Sequence, residues 1–427
     1  MNNTQQLRLF RKSLGPLVVA AGTLLAAHIA TAQTVGDVFV IDMENHNLTQ
    51  PAALTSPGAL AGNAAAQYMN SLMTAGNPNA AQASWASNYG NAALGNHPSE
   101  PNYLWQEAGS NFGVTNDNDP YKSNGVGGSN GTGGTAQNAA NLCSLLQAKG
   151  VSWKSYAEDT QLDGNGTVLP QSQYTVPITS TGGVYGGGYA NAYNGSSQYN
   201  YAVKHVGQVF FTGTNGGTLT TLNTTTSNPE AKFYAPLQHL TADLSANTTA
   251  RYNVITPDQF NDAHTALTGG FTYHGTSYTG DQANIAQGDN FLSMIIPQIQ
   301  ASQAYKNNGM ISIWWDETEG GDTSAFTLEN IILSPLAKGN AYNSTVGYTH
   351  SSDLKSYQEL FSVRAPGGGF LGDSNTPGIS DLSDMLKAGA LGTSPVPEAS
   401  PAVSLALLFA LGLGSLAFQA RKRGKSA

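Results

Sequence analysis

Four short apolar segments of the chain are each followed by side chains that can bind a metal ion or carry a proton. The segments are residues 38–41, 252–255, 310–315 and 330–333. The polar residues behind them are, in chain order, Asp42, Glu44, Asn45 and His46; Asp258, Asp262 and His264; Asp316 and Glu317; and His350. Carboxylate, amide and imidazole groups suit divalent ions such as Zn²⁺, Mn²⁺, Mg²⁺ or Ca²⁺. An ordinary solvated turn would explain one such cluster, whereas its recurrence predicts a metal site.

Ser99 is the candidate nucleophile, because two prolines restrict the backbone around it. Pro98 and Pro101 favour an extended or turned conformation, and a helix is predicted to begin near Tyr103. Free N–H groups at a helix N-terminus favour anions, so the serine hydroxyl would lie where an anionic group binds. The alternative is a serine that only caps the helix, and without the acidic residues this alternative would be preferred.

The apolar segments are typical of strands that are buried on both faces of a parallel sheet. Residues 136–150, 289–299 and 353–362 are predicted helices, and the alternation of helices with strands favours an α/β fold with a mainly parallel sheet. In such folds ligands bind beyond the carboxyl ends of the strands, which is where the polar residues lie. Two long stretches rich in Gly and Asn, residues 110–135 and 160–200, are predicted loops.

The N-terminal segment, residues 1–32, is predicted to be a secretory signal peptide. Its basic residues are Arg8, Arg11 and Lys12. They precede an apolar core at residues 17–29 and an A-x-A cleavage site at residues 30–32. An N-terminal membrane anchor is the alternative, but the apolar core is short for one. Export is therefore expected, with residues 33–392 as the main domain.

The C-terminal segment combines an apolar stretch with a basic tail. Residues 401–420 contain no charged residue and are long enough to cross a bilayer as a helix. The basic residues behind them are Arg421, Lys422, Arg423 and Lys425. With Pro397 and Glu398 in front, residues 393–427 resemble a PEP-CTERM sorting signal. This resemblance implies processing by an exosortase, transient contact with the inner membrane, and a place at the surface, in the periplasm or in the matrix of a Gram-negative bacterium. A permanent C-terminal anchor is the alternative.

The chain is acidic, so nucleic acid is not an expected partner. Of 18 basic and 27 acidic residues, the two terminal segments hold seven basic and one acidic, which leaves 11 and 26, a net charge of −15, for residues 33–392. Such a protein repels nucleic acid and anionic lipid, although bound metal ions would allow it to bind phosphate. The single cysteine, Cys143, excludes an intrachain disulfide, and without a Cys cluster a structural zinc site is not expected.

Several motifs occur in the order that one known family shows. They are Met43-Glu44-Asn45-His46, His97-Pro98-Ser99-Glu100-Pro101-Asn102-Tyr103, residues 152–158, residues 201–205, residues 256–264, Trp315-Asp316-Glu317 and Tyr348-Thr349-His350. Over most of residues 35–362 the chain therefore resembles bacterial phosphoesterases of the acid phosphatase and phospholipase C type, within the alkaline-phosphatase-like superfamily. The resemblance implies an α/β/α sandwich with a mainly parallel sheet, long loop insertions, and a divalent metal ion as cofactor.

The same resemblance implies roles for individual residues. The metal ligands would be Glu44, Asn45, Asp262, Asp316 and Glu317. The catalytic residues would be Ser99, His97, His264 and His350, with Ser99 forming a covalent phosphoserine. The substrate would contact Asn102, Lys204 and His205. The chain departs from the family pattern at Asn47, at Val206-Gly207 and at Glu100, which places a carboxyl group beside the expected nucleophile.

The expected activity is the hydrolysis of phosphate esters, above all phosphomonoesters, by an exported metal-dependent enzyme. A phospholipase C that cleaves phosphodiesters is the alternative among enzymes, but no apolar lid or basic surface segment is evident in the sequence. The alternative from another class is a catalytically inactive surface or matrix protein that keeps the fold and the sorting signal.

Overall fold

The computed structural model of the protein describes residues 33–121 and 134–392. The predicted signal peptide (residues 1–32) and the predicted sorting signal (residues 393–427) lie outside these residues, so both stay predictions, as does the domain division. Within the described part of the chain, no helix is both long enough and apolar enough to cross a membrane.

The described residues form the helices and strands whose bounds follow. The helices are α1 (Gln67–Leu72), α2 (Ser99–Ala108), α3 (Leu142–Lys149), α4 (Thr212–Asn215), α5 (Gln238–Ala246), α6 (Asp281–Ala301), α7 (Gln303–Lys306) and α8 (His350–Leu360). The strands are β1 (Val38–Met43), β2 (Asn47–Thr49), β3 (Ala83–Ala86), β4 (Tyr89–Gly90), β5 (Trp153–Ala157), β6 (Thr181–Val184), β7 (Gln198–Tyr201), β8 (Tyr234–Pro236), β9 (Tyr252–Thr256), β10 (Phe271–Tyr273), β11 (Thr276–Tyr278), β12 (Met310–Trp315), β13 (Thr327–Leu328), β14 (Asn330–Leu333), β15 (Tyr342–Ser344) and β16 (Tyr348–Thr349).

The largest sheet has eight strands in the order β15-β3-β14-β12-β1-β9-β5-β8. Every neighbouring pair is parallel except the two pairs that involve β14, so β14 alone runs opposite to the other strands of this sheet. All residues of β1, β12 and β14 are buried, as expected for strands covered on both faces. The predicted α/β fold with a mainly parallel sheet is confirmed.

Helices cover both faces of the sheet, and two neighbouring residues of β1 show this. Successive side chains of a strand point to opposite faces. Asp42 accepts a hydrogen bond from Gln106 of α2 over 2.7 Å, whereas Met43 faces α6. A Cβ added to Gly288 of α6 would lie 3.0 Å from the Met43 methyl and 2.8 Å from the Ala263 Cβ. Only glycine therefore allows α6 to pack this closely on the sheet.

The central strands bring the acidic residues to one edge of the sheet. β1 lies between β12 and β9, and both of these neighbours are parallel to it. Met43, the last residue of β1, pairs with Trp315, the last residue of β12, and Ile41 pairs with Ile255 near the end of β9. The residues that follow the three strands therefore emerge together at the carboxyl edge, where α/β proteins bind their ligands.

Candidate active site

Two carboxyl groups, those of Glu44 and Asp316, form the centre of the site. Both residues are fully buried, and the Asn45 N–H donates to Asp316 Oδ1 over 3.0 Å. Burial raises the pKa of Glu44 well above its usual value, although the nearby Lys204 ammonium partly offsets this. Burial also raises the pKa of Asp316, and the neighbouring Glu44 and Glu317 carboxyl groups raise it further. The two groups therefore strongly favour either protons or a bound cation between them.

Two hydroxyl groups of α2 bind the same Glu44 carboxylate. Ser99 Oγ donates to Glu44 Oε2 over 3.0 Å, and Tyr103 Oη donates to Glu44 Oε1 over 2.6 Å. Residues four apart lie on one face of a helix, so a helix that includes both hydroxyls aims both at this carboxylate. The sequence prediction missed Tyr103, because it placed the start of the helix at Tyr103 itself rather than at Ser99.

The N-terminus of α2 explains both that error and the position of Ser99. Pro101 is the third residue of the helix, where proline is tolerated because N–H groups of the first turn have no partner within the helix. The N-cap is Pro98, and its side chain makes no capping hydrogen bond. Ser99 is thus the first helical residue, and its hydroxyl binds Glu44 rather than capping the helix.

Glu100, next to Ser99, does not place a negative charge beside the expected nucleophile at neutral pH. Its side chain is fully buried, and burial raises the pKa of Glu100 to about 9. The carboxyl group is therefore neutral over the range in which most enzymes operate. This departure from the family pattern leaves the electrostatics of Ser99 largely unchanged.

A lysine and a histidine from the turn after β7 face the Glu44 carboxylate. His205 Nε2 lies 3.1 Å from Glu44 Oε1 and His205 Nδ1 lies 3.2 Å from Asp262 Oδ2, but neither contact has the alignment of a hydrogen bond. Burial lowers the pKa of His205 well below its usual value, so the ring is neutral. Burial also acts to lower the pKa of Lys204, but the Glu44 and Asp117 carboxylates outweigh it and raise that pKa. Lys204 therefore carries a positive charge, and its Nζ lies 2.9 Å from Asp117 Oδ2.

The carboxyl groups of Glu44, Asp262, Asp316 and Glu317 are called the acidic group below. His97 lies between one of them, Glu317, and the carboxylate of Asp322. Its Nδ1 lies 2.6 Å from Glu317 Oε2 and its Nε2 lies 3.0 Å from Asp322 Oδ1. Asn102 Nδ2 also donates to Glu317 Oε2, over 3.2 Å. The hydrogen bond to Glu317, with help from Asp322, raises the pKa of His97 to about 9 despite partial burial. His97 is thus an imidazolium at neutral pH.

The two other predicted catalytic histidines are neutral at that pH. His264 lies beside the acidic group, because its backbone N–H donates to Asp262 Oδ1 over 2.8 Å and its ring lies 5.9 Å from the His205 ring, whereas His350 makes its contacts elsewhere. His264 Nδ1 lies 2.9 Å from Thr265 Oγ1, and burial lowers the pKa of His264 to about 4. His350 is fully buried, with Nε2 3.1 Å from the Trp315 carbonyl oxygen and its ring 4.7 Å from the ring of Trp314. Burial lowers the pKa of His350 to about 3. The structure therefore joins His97, but not His350, to the acidic group by side-chain contacts.

The acidic group has the oxygen ligands that a divalent cation needs. Three buried oxygens have no hydrogen-bond partner, namely Asn45 Oδ1, Asp262 Oδ2 and Asp316 Oδ2. Among residues 33–121 and 134–392, no three His, Cys, Asp or Glu side chains already have the arrangement of a formed metal site. The unpaired oxygens and the two adjacent carboxyl groups nevertheless fit a hard cation, because such ions take carboxylate and amide oxygens as ligands.

Comparison with known proteins identifies the class to which this site belongs. Residues 91–364 match the model of the Phosphoesterase family, and the chain belongs to that family. The protein is therefore a hydrolase that acts on phosphate esters. The matched residues include Ser99 and Asp316 but not Glu44 and Asn45, which the fold brings to the same site from β1.

One curated relative resembles the chain over most of its length. The chain is 24% identical over 372 residues, 87% of its own length and 94% of the relative's, to the phosphatidylinositol-3-phosphatase of Mycobacterium tuberculosis. Solved structures show weaker likenesses. A protein of the alkaline phosphatase superfamily from Vibrio parahaemolyticus matches 78% of this chain and 68% of its own, with a TM-score of 0.41 and 11% identity. The phosphonate monoester hydrolase of Agrobacterium radiobacter matches 85% and 78%, with a TM-score of 0.38 and 10% identity. Likenesses this distant carry no argument about activity.

Proposed function

We propose that the protein is a metal-dependent phosphomonoesterase in which Ser99 becomes phosphorylated. The observation that carries this proposal is the position of Ser99. Ser99 is the first residue of α2, and its hydroxyl lies 3.0 Å from the Glu44 carboxylate of the buried acidic group. The named activity of the mycobacterial relative, removal of a phosphate from a phosphoinositide, supports a monoester rather than a diester substrate.

The metal ion would be held by Glu44, Asn45 and Asp316, with Asp262 and Glu317 as further candidates. When bound, it would supply positive charge that favours the Ser99 alkoxide and the phosphate oxygens. The positively charged Lys204 lies close enough to Glu44 to affect the pKa of that carboxyl group, and it would add to this charge. Phosphoryl transfer depends mainly on such electrostatic stabilisation and on positioning.

The reaction would proceed in two steps. Ser99 Oγ gives its proton to Glu44 Oε2, the acceptor of its hydrogen bond, and attacks the phosphorus. The bond between phosphorus and the alcohol oxygen breaks as the new bond to Oγ forms. The departing alcohol takes a proton, for which His97 is the best donor, because His97 is protonated at neutral pH while His264 and His350 are not. Water then attacks the phosphoserine and gives one proton back to His97. Ser99 recovers its proton from Glu44 as inorganic phosphate leaves.

Two serine variants test this proposal. Ser99→Ala should lower the rate of p-nitrophenol release from p-nitrophenyl phosphate by about a thousandfold or more, because the nucleophile is gone. Ser144→Ala is the matched control, since Ser144 also lies in the first turn of a helix but serves in a capping box with Asn141. It should cost about 1 kcal/mol of stability and leave turnover unchanged. A folded, metal-loaded Ser99→Ala protein with wild-type turnover would refute the nucleophile.

A comparison of substrates separates the candidate activities. Turnover of p-nitrophenyl phosphate with little turnover of bis(p-nitrophenyl) phosphate or phosphatidylcholine indicates a phosphomonoesterase. The reverse preference indicates the phospholipase C alternative, and no turnover of any ester with added divalent metals indicates an inactive protein on the same fold.

We also propose that the enzyme is exported and processed at its C-terminus. The support lies in the residue pattern of residues 1–32 and 393–427, which resembles a signal peptide and an exosortase substrate. Mass spectrometry of the protein from the surface or matrix of its host should find neither segment. An intact C-terminus on surface protein would contradict processing and favour a permanent anchor.

A further inference from the structure

Asp322 lies outside every role assigned so far, yet its carboxylate has four hydrogen-bonding partners. Oδ1 accepts from Asn91 Nδ2 over 3.1 Å and from Thr318 Oγ1 over 2.9 Å, and it lies 3.0 Å from His97 Nε2. Oδ2 accepts from the Gly95 N–H over 2.7 Å. Three of these partners are not titratable, so they fix the carboxylate independently of His97.

These partners belong to two segments of the chain. The proposed chemistry requires the two segments to keep a fixed position relative to each other. Residues 91–97 lead directly into α2 and Ser99, whereas residues 316–322 follow β12 and carry Asp316. A separate hydrogen bond joins the same two segments, from the Thr318 N–H to Asn91 Oδ1 over 2.8 Å. Asp322 therefore contributes three of the hydrogen-bonding contacts, to Asn91, Gly95 and His97, that hold the nucleophile's segment against the segment that carries Asp316.

The orientation of the His97 ring depends on this connection. One contact, from Nδ1 to Glu317, leaves an imidazole free to tilt about that contact, and a second contact at Nε2 fixes the plane of the ring. Because 35% of the His97 side chain is exposed, packing alone does not hold it. Reacting groups must be held within a fraction of an ångström, so a fixed second partner has a direct effect on turnover.

We propose that Asp322 is a positioning residue, which orients His97 and holds the segment before Ser99 against the segment that carries Asp316. This inference rests on the proposed function, since it assigns His97 a part in phosphoryl transfer. It also makes a claim about structure alone, that His97 becomes mobile when Asp322 is removed. The two claims have separate measurements.

Steady-state kinetics test the first claim. Asp322→Ala should lower kcat for p-nitrophenyl phosphate by about a hundredfold, the effect of a misplacement of about 1 Å, and change KM much less. Asp322→Asn should lose less activity than Asp322→Ala, because it retains an oxygen for His97 while losing the acceptor for the Gly95 N–H. The matched control is Asp384→Ala, which also removes a carboxylate with three partners, Lys338, Tyr342 and Ser344, beside the edge strand β15. It should keep the wild-type kcat.

Carbethoxylation of His97, followed by peptide mass mapping, tests the second claim without any need for activity. The modification rate of His97, measured over a pH series and expressed per unprotonated imidazole, should rise severalfold in Asp322→Ala and stay at the wild-type rate in Asp384→Ala. If Asp322→Ala does not fold, Asp322→Asn carries the comparison in both assays.

The outcomes separate this inference from the proposed function. An active wild-type enzyme with unchanged kcat in folded Asp322 variants overturns the inference alone. A fall in kcat that Asp384→Ala shares also overturns it, because the loss would then be general. Wild-type protein without phosphatase activity overturns the proposed function, and the His97 modification rate then still decides whether Asp322 positions the ring.

Discussion

Replacement of Tyr103 by Phe removes one hydroxyl group from the centre of the site and leaves the ring in place. Tyr103 Oη donates to Glu44 Oε1 over 2.6 Å, and both residues are fully buried. The ring stacks on His205 and packs edge-on against Trp314, with centroid distances of 5.3 Å in both pairs. Phe keeps these ring contacts, so the substitution isolates the contribution of one hydrogen bond.

The expected loss of stability follows from the charge of the acceptor. A hydrogen bond to a charged group contributes about 1.5–3 kcal/mol, so the free energy of unfolding should fall by about that amount while Glu44 is ionised. Burial raises the pKa of Glu44, and the bond from Tyr103 acts in the opposite direction because it favours the charged form. The loss should therefore shrink as the pH falls through the pKa of Glu44 in the folded protein. Urea denaturation of the metal-free protein at several pH values measures this dependence.

Tyr156→Phe provides the matched control for activity. Tyr156 Oη also donates to a carboxylate, Asp243 Oδ2, over 2.7 Å, and Tyr156 is also fully buried. Both substitutions should lower stability by a similar amount. Only Tyr103→Phe should lower phosphatase activity, by about 10–100-fold, as loss of an outer partner of a metal-binding carboxylate does. Wild-type activity in a folded Tyr103→Phe protein would refute this account of the Glu44 carboxylate.

Of two further substitutions, Glu329→Gln should raise the stability of the protein and Lys204→Met should lower its activity. Burial raises the pKa of Glu329 from 4.5 to about 8, so the folded protein keeps a proton there that the unfolded chain loses, and stability falls as the pH rises through this window. Glu329→Gln cannot titrate, so its free energy of unfolding, measured by chemical denaturation, should exceed that of the wild type by an amount that grows to several kcal/mol between about pH 5 and about pH 8, at about 1.4 kcal/mol for each pH unit. Lys204→Met should lower kcat/KM by about tenfold or more, because it removes the positive charge beside Glu44. Lys154→Met, which removes a lysine 2.9 Å from Asp243, should leave kcat/KM unchanged, and an equal effect of the two would contradict a role for Lys204.

The central strands β1, β9, β12 and β14 are predictable from the sequence because they are buried along their whole length. In contrast, β6 is exposed and lies within residues 160–200, where the sequence predicts a loop. Residues 310–315 and 330–333 were predicted as strands, and β12 and β14 have these bounds. β1 continues two residues beyond the prediction, through Asp42 and Met43. A buried aspartate looks like the end of a strand in the sequence, and the hydrogen bonds that Asp42 accepts from Gln106 and Thr256 explain why the strand continues through it.

The helix boundaries depend on contacts that the sequence does not show. α6 begins at Asp281, whereas the sequence predicted residues 289–299. The first two turns of α6 have few apolar residues, but Asp281 at its start lies 3.1 Å from His46 Nε2 and accepts from the Gly58 N–H over 2.7 Å. These partners come from a distant part of the chain, so no local pattern could reveal them.

The candidate site was predictable in its acidic residues and not in the residues that orient them. Glu44 and Asp316 follow buried parallel strands, and this position alone marks them. Tyr103 would have been found from its spacing of four residues from Ser99 if the helix had been started at Ser99. Asp117 and Asp322 lie in loops, and their contacts with Lys204 and His97 arise only from the folded arrangement.

The charge of the acidic group links metal binding to pH. Burial raises the pKa values of Glu44, Asp262 and Asp316 well above their usual range, and the Lys204 ammonium offsets this only in part at Glu44 and Asp262. Without a metal ion, protons must therefore occupy part of this group at neutral pH, and a divalent cation must displace them when it binds. Metal affinity should rise with pH, and calorimetry in buffers of different ionisation enthalpy should detect proton release on binding. Glu44→Gln should release fewer protons than the wild type, because an amide has no proton to give up. Binding with no proton release at neutral pH would show that the carboxyl groups are already ionised, and that burial does not control their charge.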